Sequence, residues 1–319
     1  MTIGTAPALR DETRVSSRRA SGRRQKRPPR GLFAWLYLLP VLTYLVVFYA
    51  YPLYRNAELS LRDYTVRSFV SGDAPFVGLD NFREVLQDPT FVPAVVHTAV
   101  FTFVSIGFQY AIGLALAVFF NRHFRLSGTL RALFLVPWLL PLIVSASTWS
   151  WMLNSESGVV NLALTSLGLP QINWLTSPTW SLTAVIIANI WIGIPFNLVI
   201  LYSGLQSIPD EVFEAAALDG ASGWRTFRHI TLPLLRPVSA ITLLLGFVYT
   251  LKVFDIIWIM TRGGPSNAST TMSTWSYELG FGSLLPHFGP AAAVGNMLII
   301  VALVFGLVYI RYEKVQASR

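Results

Sequence analysis

Cysteine is absent from the 319-residue sequence, and charged side chains make up only 13% of it. The absence of thiols excludes disulfide bonds and thiolate metal sites. The charged fraction is about half that of an average soluble domain, in which roughly 25% of residues are charged. Because hydrophobic residues reach 53%, the composition indicates a membrane protein.

Histidine and lysine are scarce as well, and this limits the chemistry that the chain can carry. The four histidines stand alone, without the spacing of metal ligands: His97, His123, His229 and His287. A Walker A loop that would hold nucleotide phosphates is missing, since no glycine precedes any of the three lysines: Lys26, Lys252 and Lys314. We therefore expect the chain itself to bind no metal, nucleotide or other cofactor.

Long uncharged runs alternate with short polar segments, as membrane spans alternate with loops. A helix needs about 20 apolar residues to cross roughly 30 Å of hydrocarbon. Six segments meet this requirement: 32–53, 95–120, 131–153, 181–202, 238–260 and 288–310. The uncharged run from Ser157 to Pro209 is longer than one span, but glycine, asparagine and proline interrupt its first part. We predict a loop with a short interfacial helix there.

The basic residues indicate how the predicted spans are oriented. Eighteen of the 24 arginines and lysines fall on one side of the spans, nine of them in the tail that ends at Arg30. The positive-inside rule makes this side cytoplasmic and places both termini on it. Topology thus accounts for the net charge of +8, and no nucleic-acid partner is expected. The basic tail has too few apolar residues to fold and is predicted to be disordered.

The cytoplasmic segment 203–237 differs from the other loops because it contains helix signals of its own. Ser207 is predicted to cap a first helix, whose first turn is acidic and therefore complements the helix dipole. Gly220 predicts the end of this helix, since glycine readily adopts the left-handed conformation of a C-cap. Ser222 is then predicted to cap a second helix, which runs through Ile230.

The apolar faces of these two short helices need a cover, because the segment is too small to have a core of its own. A partner protein is one candidate, and the surface of the lipid bilayer is the other. Acidic residues disfavour an anionic leaflet and stand at positions 210, 211, 214 and 219. We therefore expect a partner protein.

One run in this segment has a long and specific pattern, E-A-A-x-x-D-G-A-x5-F-x-x-I-x-L-P-x-x-x-P. It is formed by Glu214, Ala215, Ala216, Asp219, Gly220, Ala221, Phe227, Ile230, Leu232, Pro233 and Pro237. The run resembles the complete EAA motif of permeases in binding-protein-dependent ATP-binding-cassette importers. A match of this length with fixed spacing is far more specific than a three-residue pattern.

Two further stretches resemble the carbohydrate branch of this family, within a likeness that covers about residues 32 to 312. Residues 254–265 resemble its F-D-x-I-[YW]…T-x-G-G-P segment. Residues 78–91 resemble its first outer loop. Within the branch, the chain resembles the maltose-type first permease rather than its shorter partner.

The resemblance implies an all-α membrane protein with the type I importer permease fold, six transmembrane helices and a cytoplasmic coupling helix. The permease domain is then 31–312, with the coupling loop at 203–237, between cytoplasmic tails at 1–30 and 313–319. The implied function is translocation of a carbohydrate across the bacterial inner membrane, by a non-catalytic subunit.

The same resemblance implies the partners. They are a second permease subunit, two ATP-binding-cassette ATPase subunits that carry the ATP and Mg, an extracytoplasmic substrate-binding protein, and membrane lipid. Glu214 would contact a basic residue of the ATPase, Gly220 would permit the turn, and the alanines would allow close approach. The coupling residues are thus Glu214, Ala215, Ala216, Asp219, Gly220 and Ala221.

Lys252 and Asp255 lie inside the fifth predicted span, on one helical face and close enough to pair. An ionisable side chain in hydrocarbon costs on the order of 2.5 to 3.5 kcal/mol, so it normally faces a cavity or a partner. The two residues either line the sugar path or form a structural ion pair near the outer interface. Two amides and two aromatic rings complete the predicted path: Asn189, Trp191, Asn197 and Trp258. Each could contact a sugar through a hydrogen bond or a ring face. The alternative for each is a role in helix packing.

Two rival functions are weaker. Residues 220–223 fit the G-x-S-G pattern of rhomboid-type intramembrane serine proteases, which also have six spans. A serine nucleophile needs its base within about 3 Å, but His287 is predicted on the opposite face from Ser222, and His229 lies about 10 Å along the same helix. A scaffold or receptor without transport would not need the complete coupling motif.

Overall fold

The computed structural model describes residues 30–122, 124–282 and 285–317. His123 and nearly all of the predicted tail at 1–30 lie outside this part of the chain. The described residues form helices joined by turns, loops and two isolated β-bridges. The predicted all-α class is confirmed.

The chain divides into two compact units between Pro52 and Leu53. The first unit contains α1 (Arg30–Leu45), a π-helical turn (Val46–Ala50) and the beginning of α2 (Tyr51–Ser60). Its apolar sequence forms a helix because a helix satisfies every backbone polar group internally, as a chain in lipid requires.

The second unit contains the remaining helices, and its first half is dominated by two long ones. These helices are α3 (Val66–Ser71), α4 (Asp80–Gln87), α5 (Phe91–Phe120), α6 (Ser127–Leu139), α7 (Leu142–Met152), α8 (Val159–Ser166) and α9 (Ser181–Gln206). The short helix α8 confirms that the uncharged run after Ser157 begins with a loop and a helix rather than with an extra span.

The second half of this unit ends in another long helix. Its elements are α10 (Asp210–Leu218), α11 (Gly223–Thr226), a π-helical turn (Phe227–Thr231), α12 (Leu232–Leu234), α13 (Arg236–Leu251), α14 (Asp255–Met260), α15 (Met272–Tyr277), a second π-helical turn (Glu278–Gly282) and α16 (Phe288–Ala317). The last helix continues beyond 310, the predicted end of the sixth span, and enters the predicted tail.

Four helices are long and apolar enough to cross a membrane: Tyr37–Ser60, Phe91–Phe120, Ser181–Gln206 and Phe288–Arg311. Two bent helix pairs each meet the same criterion when taken together. They are α6 with α7, bent by 97°, and Gly223–Leu234 with Arg236–Leu251, bent by 66°. If each pair is one span, the described chain has six, the number predicted from the sequence.

Proline explains the break in the third predicted span, 131–153. Leu140 has an extended conformation, with ψ of 140°, directly before Pro141. Proline disfavours the helical region for the residue that precedes it. The span predicted over this range is therefore divided into two helices, which meet the criterion for a span only together.

The fifth predicted span, 238–260, is also broken. The helix α13 ends at Leu251, and α14 begins only at Asp255. Ser273 stabilises the non-helical link between them, since its hydroxyl donates to the Val253 carbonyl at 2.6 Å. This bond satisfies a backbone acceptor that the interrupted helix leaves free.

Helices α5 and α9 form the centre of the second unit, and small residues bring them close together. A Cβ atom on Gly113 would lie 2.5 Å from Cβ of Asn197, and one on Gly193 would lie 2.2 Å from Cδ of Gln109. Glycine at such crossings lets helix backbones approach in membrane proteins. Buried apolar clusters extend the contact in both directions.

Candidate functional site

The segment that matches the coupling motif folds into a helix, a tight turn and a second helix. The first helix, α10, begins at Asp210 after the extended residue Pro209. Ser207 does not cap it, so that prediction was wrong. Ser207 instead ends α9, where its hydroxyl donates to the Gly204 carbonyl at 2.7 Å. The acidic first turn of α10 is present as predicted.

The turn after α10 explains the D-G-A positions of the motif, which are Asp219, Gly220 and Ala221. Gly220 has a φ of +70°, the left-handed conformation that glycine adopts without strain. Its N–H donates to the Ala217 carbonyl at 3.0 Å, and the N–H of Ala221 donates to the Ala216 carbonyl at 3.0 Å. These two bonds define a Schellman motif. The predicted C-cap at Gly220 is confirmed.

One face of α10 packs on its own chain. Val212 and Phe213 contact a buried cluster that includes Leu205 and Ile208, and Ala216 is only 6% exposed. The helix α10 is therefore packed against the ends of α5 and α9. The chain itself thus buries part of the apolar surface of α10. This corrects the expectation that a partner protein would have to bury all of it.

The other face of α10 is open. Glu214, Ala215 and Asp219 are exposed, and Leu218 has 90% of its surface exposed. Trp224, at the start of the second helix, is 68% exposed. Within the described residues, neither of the two carboxylates forms an ion pair. This face thus offers negative charge beside exposed apolar side chains.

Ser222 has a structural role in this loop. Its hydroxyl accepts a hydrogen bond from the Arg225 N–H at 3.4 Å, which confirms the predicted cap. His229 places Nδ1 3.1 Å from the Arg225 carbonyl instead of contacting the serine. His287 pairs in a β-bridge with Thr65, far along the chain. The serine and the two histidines therefore form no catalytic pair.

A second candidate site is a cavity of about 440 Å³ in the middle of the second unit. Three residues of the predicted substrate path line it together: Asn189, Lys252 and Asp255. The other lining residues are mostly apolar or aromatic: Gln109, Trp138, Leu142, Ile192, Gly193, Phe196, Gly246, Tyr249, Thr250, Val253 and Ile256. The cavity thus combines charged groups, amides and ring faces.

Lys252 and Asp255 do not pair and do not share one helix, which corrects the expectation that they lie on one helical face and excludes the ion-pair alternative for this structure. The break between α13 and α14 separates them, because Lys252 caps the first helix and Asp255 begins the second. Among the described residues, the ion pairs involve arginines outside the cavity. The Lys252 ammonium instead lies 5.3 Å from the centroid of the Tyr249 ring, within cation–π range.

Gln109 is a cavity residue that the sequence reasoning missed. Its Nε2 donates to the Asn189 carbonyl at 2.9 Å. Asn189 is 7% exposed, and its own Nδ2 has no partner within the described residues. A buried unpaired amide costs about 1–3 kcal/mol, so this group suits an acceptor on a bound molecule. A lone amide inside an apolar span was the signal for Gln109.

The other three predicted path residues lie away from the cavity. The Trp191 ring contacts Trp149 edge-on, with centroids 5.9 Å apart. Asn197 is 2% exposed and donates to the Gly193 carbonyl at 2.9 Å. The Trp258 ring stacks on Phe254 and contacts Tyr277 edge-on, with centroids 5.6 Å and 4.8 Å apart.

Comparisons with known proteins agree with this architecture. The family model described as "Binding-protein-dependent transport system inner membrane component" matches residues 109–315. Trehalose/maltose transport system permease protein MalF of Thermococcus litoralis is 38% identical over 284 residues, covering 88% of this chain and 93% of that protein. Sulfoquinovosyl glycerol transport system permease protein SmoG of Agrobacterium fabrum is 33% identical over 281 residues, covering 88% and 90%.

A solved structure is similar over nearly the whole chain. It is the crystal structure of a bacterial ABC transporter involved in the import of the acidic polysaccharide alginate. The TM-score is 0.77 at 26% identity, and the match covers 89% of this chain and 96% of that one.

The bent spans, the central cavity and the exposed helical loop define a membrane transport permease. The chain belongs to the family of binding-protein-dependent transport system inner membrane components. It is a non-catalytic, multi-pass permease subunit of an ABC importer with the type I fold.

Proposed function

We propose that this permease imports a carbohydrate that an extracytoplasmic binding protein delivers. The observation that carries the proposal is the cavity that holds Asn189, Lys252 and Asp255 beside aromatic rings. Sugars offer hydroxyl groups that hydrogen-bond to amides and charged groups, and apolar ring faces that pack on aromatic side chains. The relatives named for trehalose, maltose and sulfoquinovosyl glycerol support this substrate class.

The energy for uphill import would come from two partner ATPases that carry ATP and Mg. The exposed face of α10 is their proposed contact, with Glu214 meeting a basic residue and Ala215 allowing close approach. Because α10 packs on α5 and α9, a movement of α10 would be transmitted directly to these two spans. Asp219, Gly220 and Ala221 would hold the turn in place.

Further partners and the orientation belong to the same proposal. A second permease subunit would complete the path, and both termini would lie in the cytoplasm of a bacterial inner membrane. The permease domain would extend over 31–312. An alginate importer structure that includes an alginate pentasaccharide-bound periplasmic protein supports the role of a binding protein.

Uptake in proteoliposomes tests the proposal. The permease is purified in complex with its sister permease and ATPase, and is reconstituted with the binding protein outside and ATP inside the vesicles. Radiolabelled trehalose, maltose, lactose and sulfoquinovosyl glycerol are the probes. ATP-dependent accumulation of at least one of them is expected. Accumulation of none of these four sugars contradicts the proposal.

A further inference from the structure

A cluster of aromatic rings lies beyond the central cavity, on the other side of the 252–254 link. Phe254 stacks on Trp258 at 5.6 Å between centroids, and Tyr277 lies 4.6 Å from Phe254. The cluster continues through Phe281, 5.4 Å from Tyr277, to Phe288, a further 5.8 Å away. The rings thus form a row that begins at Phe254, the neighbour of the cavity-lining residue Val253.

This row borders a separate cleft of about 340 Å³. The cleft is lined by residues of α2, α15, the second π-helical turn and α16, together with Phe254 of the link. Asn56, Leu59, Ser273, Ser276, Tyr277, Phe281 and Phe288 are among them. The link therefore separates the two spaces, with Val253 facing the central cavity and Phe254 facing the cleft. Both lie within the second unit.

The polar groups of the cleft are arranged to accept hydrogen bonds. The Ser273 hydroxyl donates to the Val253 carbonyl at 2.6 Å, and the Ser276 hydroxyl donates to the Ala291 carbonyl at 2.8 Å. Because its proton is already used, the Ser276 oxygen keeps its lone pairs for an incoming donor. The Ser273 oxygen also accepts from the Thr271 hydroxyl at 3.0 Å, which leaves it one lone pair for such a donor. Sugar hydroxyls are donors of this kind.

The rings supply the second feature that a sugar needs. Tyr277 and Phe281 both line the cleft, and they are 37% and 68% exposed rather than packed in a core. A pyranose buries its C–H face on such rings while its hydroxyls bond at the edge.

We propose that the cleft is a second sugar-binding subsite, which holds a pyranose on Tyr277 and Phe281 before it passes the 252–254 link into the central cavity. The inference rests on the proposed carbohydrate function. The predicted topology places the end of α2 and the beginning of α16 on the extracytoplasmic side, where the binding protein releases its cargo. The subsite would therefore be occupied first.

Substitution of Phe281 tests this subsite in the proteoliposome assay. Removing the ring with Phe281→Leu should lower the uptake rate at saturating binding protein about three- to tenfold, as expected for loss of one aromatic contact. Phe281→Trp keeps a stacking face and should retain the wild-type rate. The matched control is Phe108→Leu, which removes an exposed ring from α5 outside the cleft and should have no effect.

Each outcome of that experiment is informative. If the wild type imports a sugar and Phe281→Leu imports it equally fast, the subsite is overturned while the proposed function stands. If Phe281→Leu instead releases the sister permease during purification, with normal uptake per intact complex, the cleft is a subunit contact. If the wild type imports none of the probes, the proposed function fails and this inference fails with it.

A thiol-protection measurement provides a readout that does not depend on transport. The natural chain has no cysteine, so Ser276→Cys places a single thiol in the cleft. The sugar that the wild type imports should slow its modification by a maleimide in the ATP-free complex. Ser166→Cys, on the exposed helix α8, should show no protection. A Ser276→Cys thiol that is unreactive, or equally reactive with and without the sugar, overturns the proposal.

Discussion

The backbone N–H of Ala221 donates to the carbonyl of Ala216 at 3.0 Å and closes the turn that presents helix α10. Ala216 lies on the buried face of α10. The bond therefore ties this face to the residue that follows the C-terminal turn of the helix. The exposed face, with Glu214 and Leu218, is thereby held at a fixed angle to the spans. The proposed coupling to an ATPase would depend on this rigidity.

Gly220 should be sensitive to any residue that disfavours a positive φ. Gly220→Val should strain the turn by about 1–2 kcal/mol, the usual cost of the left-handed region for a residue with a Cβ. The space around Gly220 is open, so the effect comes from the backbone alone. We expect weaker ATPase co-purification and slower uptake. Gly220→Asn is the control, because asparagine tolerates this conformation, and equal loss in both variants would contradict the account.

Ser222 should matter little for transport. Ser222→Ala removes a helix cap, which typically costs about 1 kcal/mol. Uptake should stay near the wild-type rate, and thermal unfolding of the purified complex should shift only slightly. A complete loss of activity, together with intact ATPase binding in the Gly220→Val variant, would return the serine to a catalytic role.

Lys252 and Asp255 should act independently, since they do not pair. Lys252→Leu and Asp255→Leu should each reduce sugar uptake while leaving the complex assembled, because both line the cavity. The charge swap Lys252→Asp with Asp255→Lys should not restore uptake. Restored uptake in the swapped variant would show that the two side chains pair during transport.

Gly113 should be essential for the crossing of α5 and α9. Gly113→Ala would place a Cβ 2.5 Å from that of Asn197 and 3.1 Å from the Leu198 amide nitrogen. The helices must then move apart, and overpacking of this kind typically costs about 1–3 kcal/mol. The purified complex should unfold at a lower temperature. Gly107→Ala, on the same helix with open space around it, should be neutral or slightly stabilising.

The sequence was sufficient for the long helices and the coupling turn, because hydropathy and glycine chemistry act locally. The position of the end of α9 was not predictable, so Ser207 was taken for a cap of the next helix. The breaks near Pro141 and Val253 also escaped prediction, since apolar runs continue across them. At Val253 the break depends on a hydrogen bond from Ser273, a contact between distant parts of the chain.

The predicted substrate path shows the same limit. Residue type alone could not separate Asn189, which lines the cavity, from Asn197, which packs between helices. Both are amides in one span, and only the rotation of α9 against α5 distinguishes them. Gln109 was overlooked because its place in the cavity depends on a contact with another helix, the hydrogen bond to the Asn189 carbonyl on α9.

The central claim is that the exposed face of α10 binds a separate ATPase, and reversal of one charge tests it most directly. Glu214→Lys places a cation where a basic residue of the ATPase is expected, and like charges brought together at an interface cost several kcal/mol. The measurement is the amount of ATPase that co-purifies with the permease, with Glu156→Lys in the opposite loop as control. The account predicts a large loss with Glu214→Lys and none with the control; full ATPase recovery with Glu214→Lys would contradict it.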